Sequence, residues 1–297
     1  MKRQPLRVVI RQAAQELEAA GVPTPQVDAE ELAAWILGVG RTRLGLQPLV
    51  EPEWVEHYRT VIARRAQRIP LQHIIGEVQL GLATIQVGPG VFIPRPETEL
   101  LVDWALRAVK GVSAPLVVDL CSGSGAIALA VSAARPDARV VAVERDPNAL
   151  AWARRNLERH LERGGTSIDL RGGDIADERV TYDLAGQADL VLSNPPYVPD
   201  ATPVEPEVSQ HDPAAAVFGG ADGLDVIRVL VPIAAGLLRT GGLLGIEHDY
   251  TQGESVPAIL QQRRVLADVQ DHTDLAGRPR FVTAQRVSLG IDPSRSL

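Results

Sequence analysis

The sequence contains a single cysteine, Cys121, among its 297 residues. One cysteine excludes a disulfide within the chain and a zinc site built from several cysteines. No stretch of about 18 uncharged apolar residues occurs, so we expect no membrane span. Residues 1–5 lead into a charged amphipathic segment and not into the apolar region of a signal peptide. These absences favour a cytoplasmic protein.

Metal-ligand spacing is also absent. The six histidines are scattered along the chain, and none forms a His-x-x-x-His pair. We therefore expect no metal. The chain shows no internal repeat, low-complexity tract or long run of charge. Its hydrophobic fraction of 45% allows a proper core, and its length is sufficient for two domains.

The charge is negative and unevenly distributed. The formal net charge is −7, with +2 in residues 1–75 and therefore −9 in the remainder. A broadly acidic surface argues against general binding of nucleic acid. We expect no stable nucleic-acid partner and a monomeric protein.

The order of elements predicts two domains and a link. In residues 1–75, apolar side chains recur at helical spacing, which predicts a small all-α bundle. Apolar residues among glycines in 76–95 predict a linking β-hairpin. From residue 96 to 297, strands and helices alternate, which predicts an α/β domain with a doubly wound, mostly parallel sheet. The candidate strands are 115–120, 139–144, 166–171, 188–193, 242–247 and 280–287.

The most informative motif is Asn194-Pro195-Pro196-Tyr197, directly after the apolar run Ala188–Ser193. Two consecutive prolines end the strand, because each lacks an N–H and fixes φ near −65°. The first proline also drives Asn194 into an extended conformation. The resulting corner offers a side-chain amide, a backbone carbonyl and an aromatic face. Such a corner can hold a planar NH₂ group by accepting both hydrogens, and it is the signature of methyltransferases that act on amide or exocyclic amino nitrogens.

A glycine-containing loop predicts a nucleotide-type cofactor site. Strand Leu116–Leu120, which includes Asp119, runs into Cys121-Ser122-Gly123-Ser124-Gly125 and then into a helical segment. Glycines let the backbone turn and approach a ligand closely, at the strand end where open α/β sheets bind ligands. We expect Asp119 and residues 121–125 to contribute to cofactor binding.

Two further loops complete the predicted cofactor site. Glu144 ends the next strand, about 20 residues beyond Gly123, where an acid can accept both ribose hydroxyls. Asp174 and Ile175 follow the third strand and could bind the adenine amino group and ring. Dinucleotide dehydrogenases share the loop and the acid but do not require the Asn-Pro-Pro-Tyr corner. The combination, with Asn194 at the cofactor's edge, favours S-adenosylmethionine over NAD.

Several segments together resemble one enzyme family. They are Arg68–Gly76 (RIPLQHIIG), Phe92–Glu99 (FIPRPETE), Val117–Ala128, Asn194–Tyr197, Glu207-Val208 with Gly219–Leu224 (GGADGL), and Asp274–Arg280 (DLAGRPR). With the helical N-terminal segment, they are similar to those of the peptide chain release factor glutamine methyltransferases, over most of the chain.

This resemblance implies a substrate and a fold, to which the chemistry of the corner adds a hypothesis for the mechanism. It implies a seven-stranded S-adenosylmethionine-dependent methyltransferase domain. It implies methylation at N5 of the glutamine in the Gly-Gly-Gln loop of class 1 release factors, which yields N5-methylglutamine and converts the cofactor to S-adenosylhomocysteine. It also implies that the helical bundle in residues 1–75 serves substrate recognition and helps, with the hairpin, to hold the release factor. Asn194 and the Pro195 carbonyl would accept the two amide hydrogens and stabilise charge developing on nitrogen. Tyr197 and Pro196 would complete the corner and pack against substrate or cofactor, and Phe92 would form an apolar wall around the glutamine stem.

One residue departs from the family pattern. The family usually has glycine at the position of Cys121, and a cysteine with φ above zero would be strained. We therefore expect ordinary backbone geometry at Cys121. We assign it no nucleophilic role, since no partner base is evident in the sequence.

Three alternatives remain open at this point. The corner alone is compatible with an N6-adenine methyltransferase acting on DNA or RNA, although such an enzyme needs a surface that follows phosphates. A second is a non-catalytic assembly factor that keeps the cofactor fold. A third is a glutamine methyltransferase with a different protein target.

Overall fold

A computed structural model describes residues 2–289. The helices are α1 (Leu6–Ala19), α2 (Pro25–Leu37), α3 (Pro52–Ala66), α4 (Leu71–Ile75), α5 (Thr98–Ala108), α6 (Ala126–Ala134), α7 (Pro147–Glu162), α8 (Pro206–His211), α9 (Ala214–Val217), α10 (Asp225–Leu237) and α11 (Ser255–Gln261). The strands are β1 (Gln4–Pro5), β2 (Leu49–Val50), β3 (Glu77–Leu80), β4 (Ala83–Gln86), β5 (Leu116–Leu120), β6 (Arg139–Glu144), β7 (Asp169–Gly172), β8 (Ala188–Ser193), β9 (Leu238–Glu247), β10 (Leu266–Thr273) and β11 (Pro279–Arg286). None of these helices is long and apolar enough to cross a membrane.

The chain divides into two compact units. The first, called here the helical unit, runs up to Glu77 and also includes Val204–His211. Its helix α1 buries residues at positions 6, 9, 10, 13, 14 and 17, the spacing of one helical face. Proline begins α2 and α3, where its missing N–H costs nothing. Among the largest fully buried side chains of this core are those of Leu17, Leu32 and Tyr58.

A cluster of charged side chains joins α8 to the rest of the helical unit. Arg65 has a side chain only 5% exposed and contacts Asp28 at 2.6 Å and Glu207 at 2.7 Å. Arg68 donates to both carboxylate oxygens of Glu207, at 2.7 and 2.5 Å. Buried charges need such partners, so Glu207 fixes α8 on this unit.

The second unit, called here the α/β unit, comprises Val78–Pro203 and the chain from Asp212 onward. Its seven-stranded sheet has the order β10-β11-β9-β8-β5-β6-β7. Strands β5 to β9 pair in parallel, whereas β11 is antiparallel to both of its neighbours. All five residues of β5 are buried, as expected for a central parallel strand covered on both faces. The predicted doubly wound, mostly parallel sheet is confirmed.

The sequence missed one strand of this sheet. Strand β10 is an edge strand, and its eight residues include only one that is fully buried. Its pairing with β11 is interrupted by irregularities between Ala267 and Gln270 and near Thr273. Polar residues and an irregular register break the alternation on which strand prediction depends. The other six strands lie at the predicted places, with shifts at several ends.

Candidate functional site

A cavity of about 600 Å³ lies in the α/β unit at the carboxyl ends of β5, β6, β7 and β8. The chain adds β6 and β7 on one side of β5 and then places β8 on the other side. This reversal is the switch point at which open α/β sheets bind ligands. The volume falls within the range of cofactor and small-molecule sites.

Most of the predicted site residues line this cavity. Those that do so are Phe92, Cys121, Ser122, Gly123, Ser124, Glu144, Asp174, Ile175, Asn194 and Pro196. Four others, Asp119, Gly125, Pro195 and Tyr197, do not line it. Direct cofactor contact by Asp119 and Gly125, and substrate contact by Pro195 and Tyr197, therefore stay predictions.

Both glycines of the loop after β5 have positive φ angles. Gly123 has φ of +56° and Gly125 has φ of +79°, a conformation that favours glycine. A Cβ on Gly125 would lie 3.5 Å from the Cβ of Ala153, whereas one on Gly123 would meet nothing within 4 Å. Gly123 thus leaves open space beside its backbone, and it lies on the cavity wall.

Cys121 contradicts the expectation of ordinary backbone geometry. Its φ is +60°, in the left-handed region that a residue with a Cβ adopts only at a cost. The loop keeps the turn that glycine would favour, and the cysteine carries the strain. Burial raises the pKa of the Cys121 thiol to about 12, with Glu144 and Asp119 adding to the effect. A thiol with that pKa is not a nucleophile at neutral pH.

Glu144 is a buried carboxylate and not an exposed loop residue. It is 9% exposed and accepts the Gly123 N–H at 2.7 Å and the Asp146 N–H at 2.7 Å, one on each oxygen. Burial raises its pKa, while these backbone bonds oppose the shift. Each oxygen keeps a lone pair, so the group can accept two further hydrogens from the cavity.

Asp119 lies behind the loop. It is fully buried, and its Oδ2 accepts the Ala128 N–H in the first turn of α6 at 3.1 Å. Burial raises its pKa to about 8. Its geometry assigns it to bracing α6 against β5.

The loop after β7 forms another part of the cavity wall. Ile175 is 8% exposed, and the Oδ1 of Asp174 accepts the Ala176 N–H at 2.9 Å. The other oxygen, Oδ2, lies 3.4 Å from the guanidinium of Arg145. An apolar side chain beside a carboxylate is suited to an aromatic ring that bears an amino group.

At the corner after β8, the Asn194 amide is hydrogen-bonded to Thr98 at the start of α5. Its Nδ2 donates to the hydroxyl of Thr98 at 3.1 Å. The amide oxygen therefore points away from Thr98 and remains available as an acceptor. The Pro195 carbonyl follows Asn194 directly in the chain, but Pro195 does not line the cavity, whereas Asn194 does.

Tyr197 faces the interior behind the corner. Its hydroxyl donates to Oε1 of Glu247 at 3.0 Å. Burial raises the pKa of Tyr197 well above its ordinary value, and the neighbouring Glu247 carboxylate adds to this. Glu247 is itself 3% exposed. Thr98 and Glu247 are functional candidates that sequence reasoning missed. Thr98 stands within the FIPRPETE segment, but nothing in the sequence singles out Glu247.

Phe92 lines the cavity, so it is not plain core packing. The guanidinium of Arg95 lies 5.0 Å from the centre of its ring. Arg95 in turn pairs at 2.5 Å with Asp212, whose side chain is fully buried. This chain of contacts holds the aromatic ring at the cavity edge.

The described residues contain no group of three or more His, Cys, Asp or Glu side chains arranged to hold a metal ion. The polar side chains that line the cavity include carboxylates, hydroxyls, the Asn194 amide and the Arg145 guanidinium. Such a set suits an organic ligand with hydroxyl and amino groups.

Comparison with known proteins gives consistent results. A family model described as PrmC N-terminal domain matches residues 9–76, and one described as Methyltransferase small domain matches residues 89–211. A protein of Streptomyces coelicolor is 50% identical over 281 residues, covering 93% of this chain and 96% of the relative. One of Mycolicibacterium smegmatis is 47% identical over 283 residues, covering 95% and 98%. One of Deinococcus radiodurans is 40% identical over 287 residues, covering 95% and 98%. Each is named a release factor glutamine methyltransferase.

Proposed function

The chain belongs to the family of release factor glutamine methyltransferases, and from this premise we propose its substrate atom, its cofactor and the residues that bring them together. It transfers the methyl group of S-adenosylmethionine to the side-chain amide nitrogen of the glutamine in the Gly-Gly-Gln loop of class 1 release factors. The reaction takes place in the cavity of the α/β unit, and the helical unit contributes to release-factor recognition. The enzyme acts in the cytoplasm, where release factors work.

The order of residues along the sheet edge carries this proposal. The strand order β8, β5, β6, β7 places Asn194 first, then the glycine loop, then Glu144, and finally Asp174 with Ile175. S-adenosylmethionine has its groups in a matching sequence, with the methyl-bearing sulfonium and amino-acid part followed by ribose and adenine. Glu144 would accept the ribose hydroxyls, and Asp174 and Ile175 would bind the adenine. The methyl group would then lie beside Asn194.

When bound, the cofactor supplies an activated methyl group, so the protein mainly has to aim the acceptor. A glutamine amide nitrogen is a poor nucleophile because its lone pair is delocalised into the carbonyl. The Asn194 side-chain oxygen and the Pro195 carbonyl accept its two hydrogens and point the nitrogen toward the methyl group. As positive charge develops on nitrogen, both hydrogen bonds strengthen. The surplus proton leaves to water, which requires no dedicated base.

Phe92 and Pro196 supply the apolar walls beside this corner, where the aliphatic stem of the glutamine packs. The Arg95 guanidinium over the Phe92 ring keeps that wall in place. An apolar surround excludes water and so strengthens the two hydrogen bonds to the nitrogen.

The test is a transfer assay with labelled S-adenosylmethionine and unmodified class 1 release factor. A second reaction uses a release factor whose Gly-Gly-Gln glutamine is replaced by alanine, and a third uses RNA and DNA. We expect label only in the first reaction, with peptide mapping placing it on that glutamine. Label on adenine would instead identify the nucleic-acid methyltransferase alternative, and label on another protein site would contradict the proposed substrate.

A further inference from the structure

Glu247 is a buried carboxylate for which the proposed mechanism has no use. It is the last residue of β9, whose Ile246 pairs with Ser193 of β8, so it stands beside Asn194 at the same sheet edge. It is 3% exposed and does not line the cavity. Tyr197 donates to its Oε1 at 3.0 Å. Its other oxygen, Oε2, has no hydrogen-bond partner among the described residues. A buried acceptor in this state is costly.

The Thr98 hydroxyl is a donor suited to this unpaired carboxylate oxygen. Thr98 is 2% exposed, and its oxygen accepts the Asn194 Nδ2–H. A hydroxyl also carries one proton to donate, and the hydrogen bond from Asn194 uses Thr98 only as an acceptor. Helix α5, which begins at Thr98, packs against β9, which ends at Glu247. Thr98 contacts Asn194 and Glu247 contacts Tyr197 at the same corner, so the two groups are neighbours.

We propose that Thr98 and Glu247 are positioning residues that set the orientation of the Asn194 amide. The Thr98 hydroxyl donates its proton to Glu247, so it can only accept from Asn194. The hydrogen bonds then run in one direction, from the Asn194 NH₂ to Thr98 and from Thr98 to Glu247. This inference rests on the proposed function, because it assigns the amide oxygen to the substrate nitrogen.

The direction matters because an asparagine amide is nearly symmetric in shape. Rotated by half a turn, Asn194 would present its NH₂ group to the NH₂ group of the substrate. Two donors would then face each other, and the bond that strengthens in the transition state would be lost. A hydroxyl alone cannot prevent this rotation, since it can donate to the Asn194 oxygen as readily as it accepts from the nitrogen. An ionised carboxylate behind it can, because it only accepts.

The charge of Glu247 therefore controls the arrangement. Burial raises the pKa of Glu247 to about 7, against the lowering by the hydroxyls of Thr98 and Tyr197. Glu97 at the start of α5 raises that pKa and Arg280 of β11 lowers it. Other charged or titratable groups close to this cluster are Arg95, Asp249, His248 with its partner Asp271, and Asp274, which pairs with Arg280. Once protonated, Glu247 no longer holds Thr98 in the accepting orientation, so kcat should fall as the pH drops below about 7.

Paired substitutions at Thr98 test the inference. Thr98→Val keeps the shape but removes the hydroxyl, and Thr98→Ser restores it. We expect Thr98→Val to lower kcat by roughly tenfold to a hundredfold, the effect typical of groups that orient a reacting ligand. The KM for S-adenosylmethionine should stay nearly unchanged, and Thr98→Ser should recover most of the rate. The matched control is Thr283→Val, which removes another buried threonine hydroxyl, on β11, bonded to His272 at 2.8 Å.

Glu247→Gln tests the role of the charge. The glutamine side chain has the same shape as glutamate, but it is uncharged and carries an NH₂ group that can donate to Thr98. We expect a lower kcat and loss of the acidic fall in the pH profile of kcat that the wild type shows. Equal losses in Thr98→Val and Thr98→Ser would overturn the inference in favour of packing, as would an unchanged kcat in Thr98→Val. A pH profile of Glu247→Gln that matches the wild type would also overturn it. Failure of the proposed function is a separate outcome, since the wild type would then leave the release-factor glutamine unmodified.

Discussion

The Asn194→Ala variant removes the oxygen that accepts one of the two substrate hydrogens. The loss of one preorganised hydrogen bond to developing charge costs about 2.7–4 kcal/mol, or a factor of about 10² to 10³ in kcat. The Pro195 carbonyl remains but cannot orient the nitrogen alone. Since alanine also releases the substrate amide from its aligned position, we expect turnover to fall at least to this extent.

The same variant should leave cofactor binding largely intact. The residues assigned to ribose and adenine follow β6 and β7, and β5 separates these strands from β8. The Thr98 hydroxyl loses its donor at 3.1 Å, a change worth about 1 kcal/mol of folding free energy. This cost is small against the 5–15 kcal/mol typical of a domain.

The assay compares kcat from methyl transfer to release factor with the Kd for S-adenosylhomocysteine from calorimetry. Gln262→Ala, at an exposed amide after α11, serves as the matched control. The reasoning fails if Asn194→Ala keeps kcat within about threefold of the wild type, far less than the loss of one such hydrogen bond implies. It also fails if the Kd for the cofactor rises in parallel with the loss of rate.

Three further predictions concern other parts of the molecule. Glu144→Ala should raise the Kd for S-adenosylmethionine about tenfold for each lost hydrogen bond of about 1.4 kcal/mol, while kcat at saturation changes less. An unchanged Kd in calorimetry would remove Glu144 from the ribose site. Cys121→Gly should not lower the free energy of unfolding. The left-handed backbone costs a residue with a Cβ about 1–2 kcal/mol, and the greater freedom of glycine in the unfolded chain offsets about half of the gain from removing that cost. Cys121→Val should lower the free energy of unfolding, and a denaturant titration that finds the valine variant more stable than the glycine variant would contradict the backbone strain. Burial raises the pKa of Glu207, but the hydrogen bonds of Arg68 and then Arg65 outweigh burial and lower the pKa from 4.5 to about 2. This carboxylate therefore contributes stability above pH 4.5 that is lost as the pH falls toward 2. Hydrogen exchange of the helical unit should show this loss in the wild type and not in Glu207→Gln.

Patterns of apolar residues and prolines were enough to predict most of the fold. The run Leu116–Leu120 is apolar except for Asp119 and became the central strand, and the paired prolines after Ser193 end β8 as expected. Strand β10 was not predicted, because an edge strand is exposed on much of its surface and carries polar residues. The return of Val204–His211 to the helical unit could not be predicted either. It depends on Glu207 meeting Arg65 and Arg68, far apart in sequence.

The candidate site likewise has residues that could be placed from the sequence and residues that could not. The loop, Glu144 and Asn194 follow strand ends and could be placed by counting strands. Cys121 could not, because the turn demanded by the surrounding loop overrides the preference of the residue, and its φ is +60°. The pairing of Glu247 with Tyr197 depends on the register of β9 against β8, which a sequence pattern does not reveal.

The central claim is that Asn194 and Pro195 hold the glutamine nitrogen beside the methyl donor. The most direct measurement is a crystal structure of the enzyme with S-adenosylhomocysteine and a release factor. The account predicts that the glutamine Nε2 lies about 2.9 Å from both the Asn194 Oδ1 and the Pro195 carbonyl, with the ribose on Glu144. A glutamine nitrogen turned away from both acceptors, or an Asn194 NH₂ group facing it, would contradict the account.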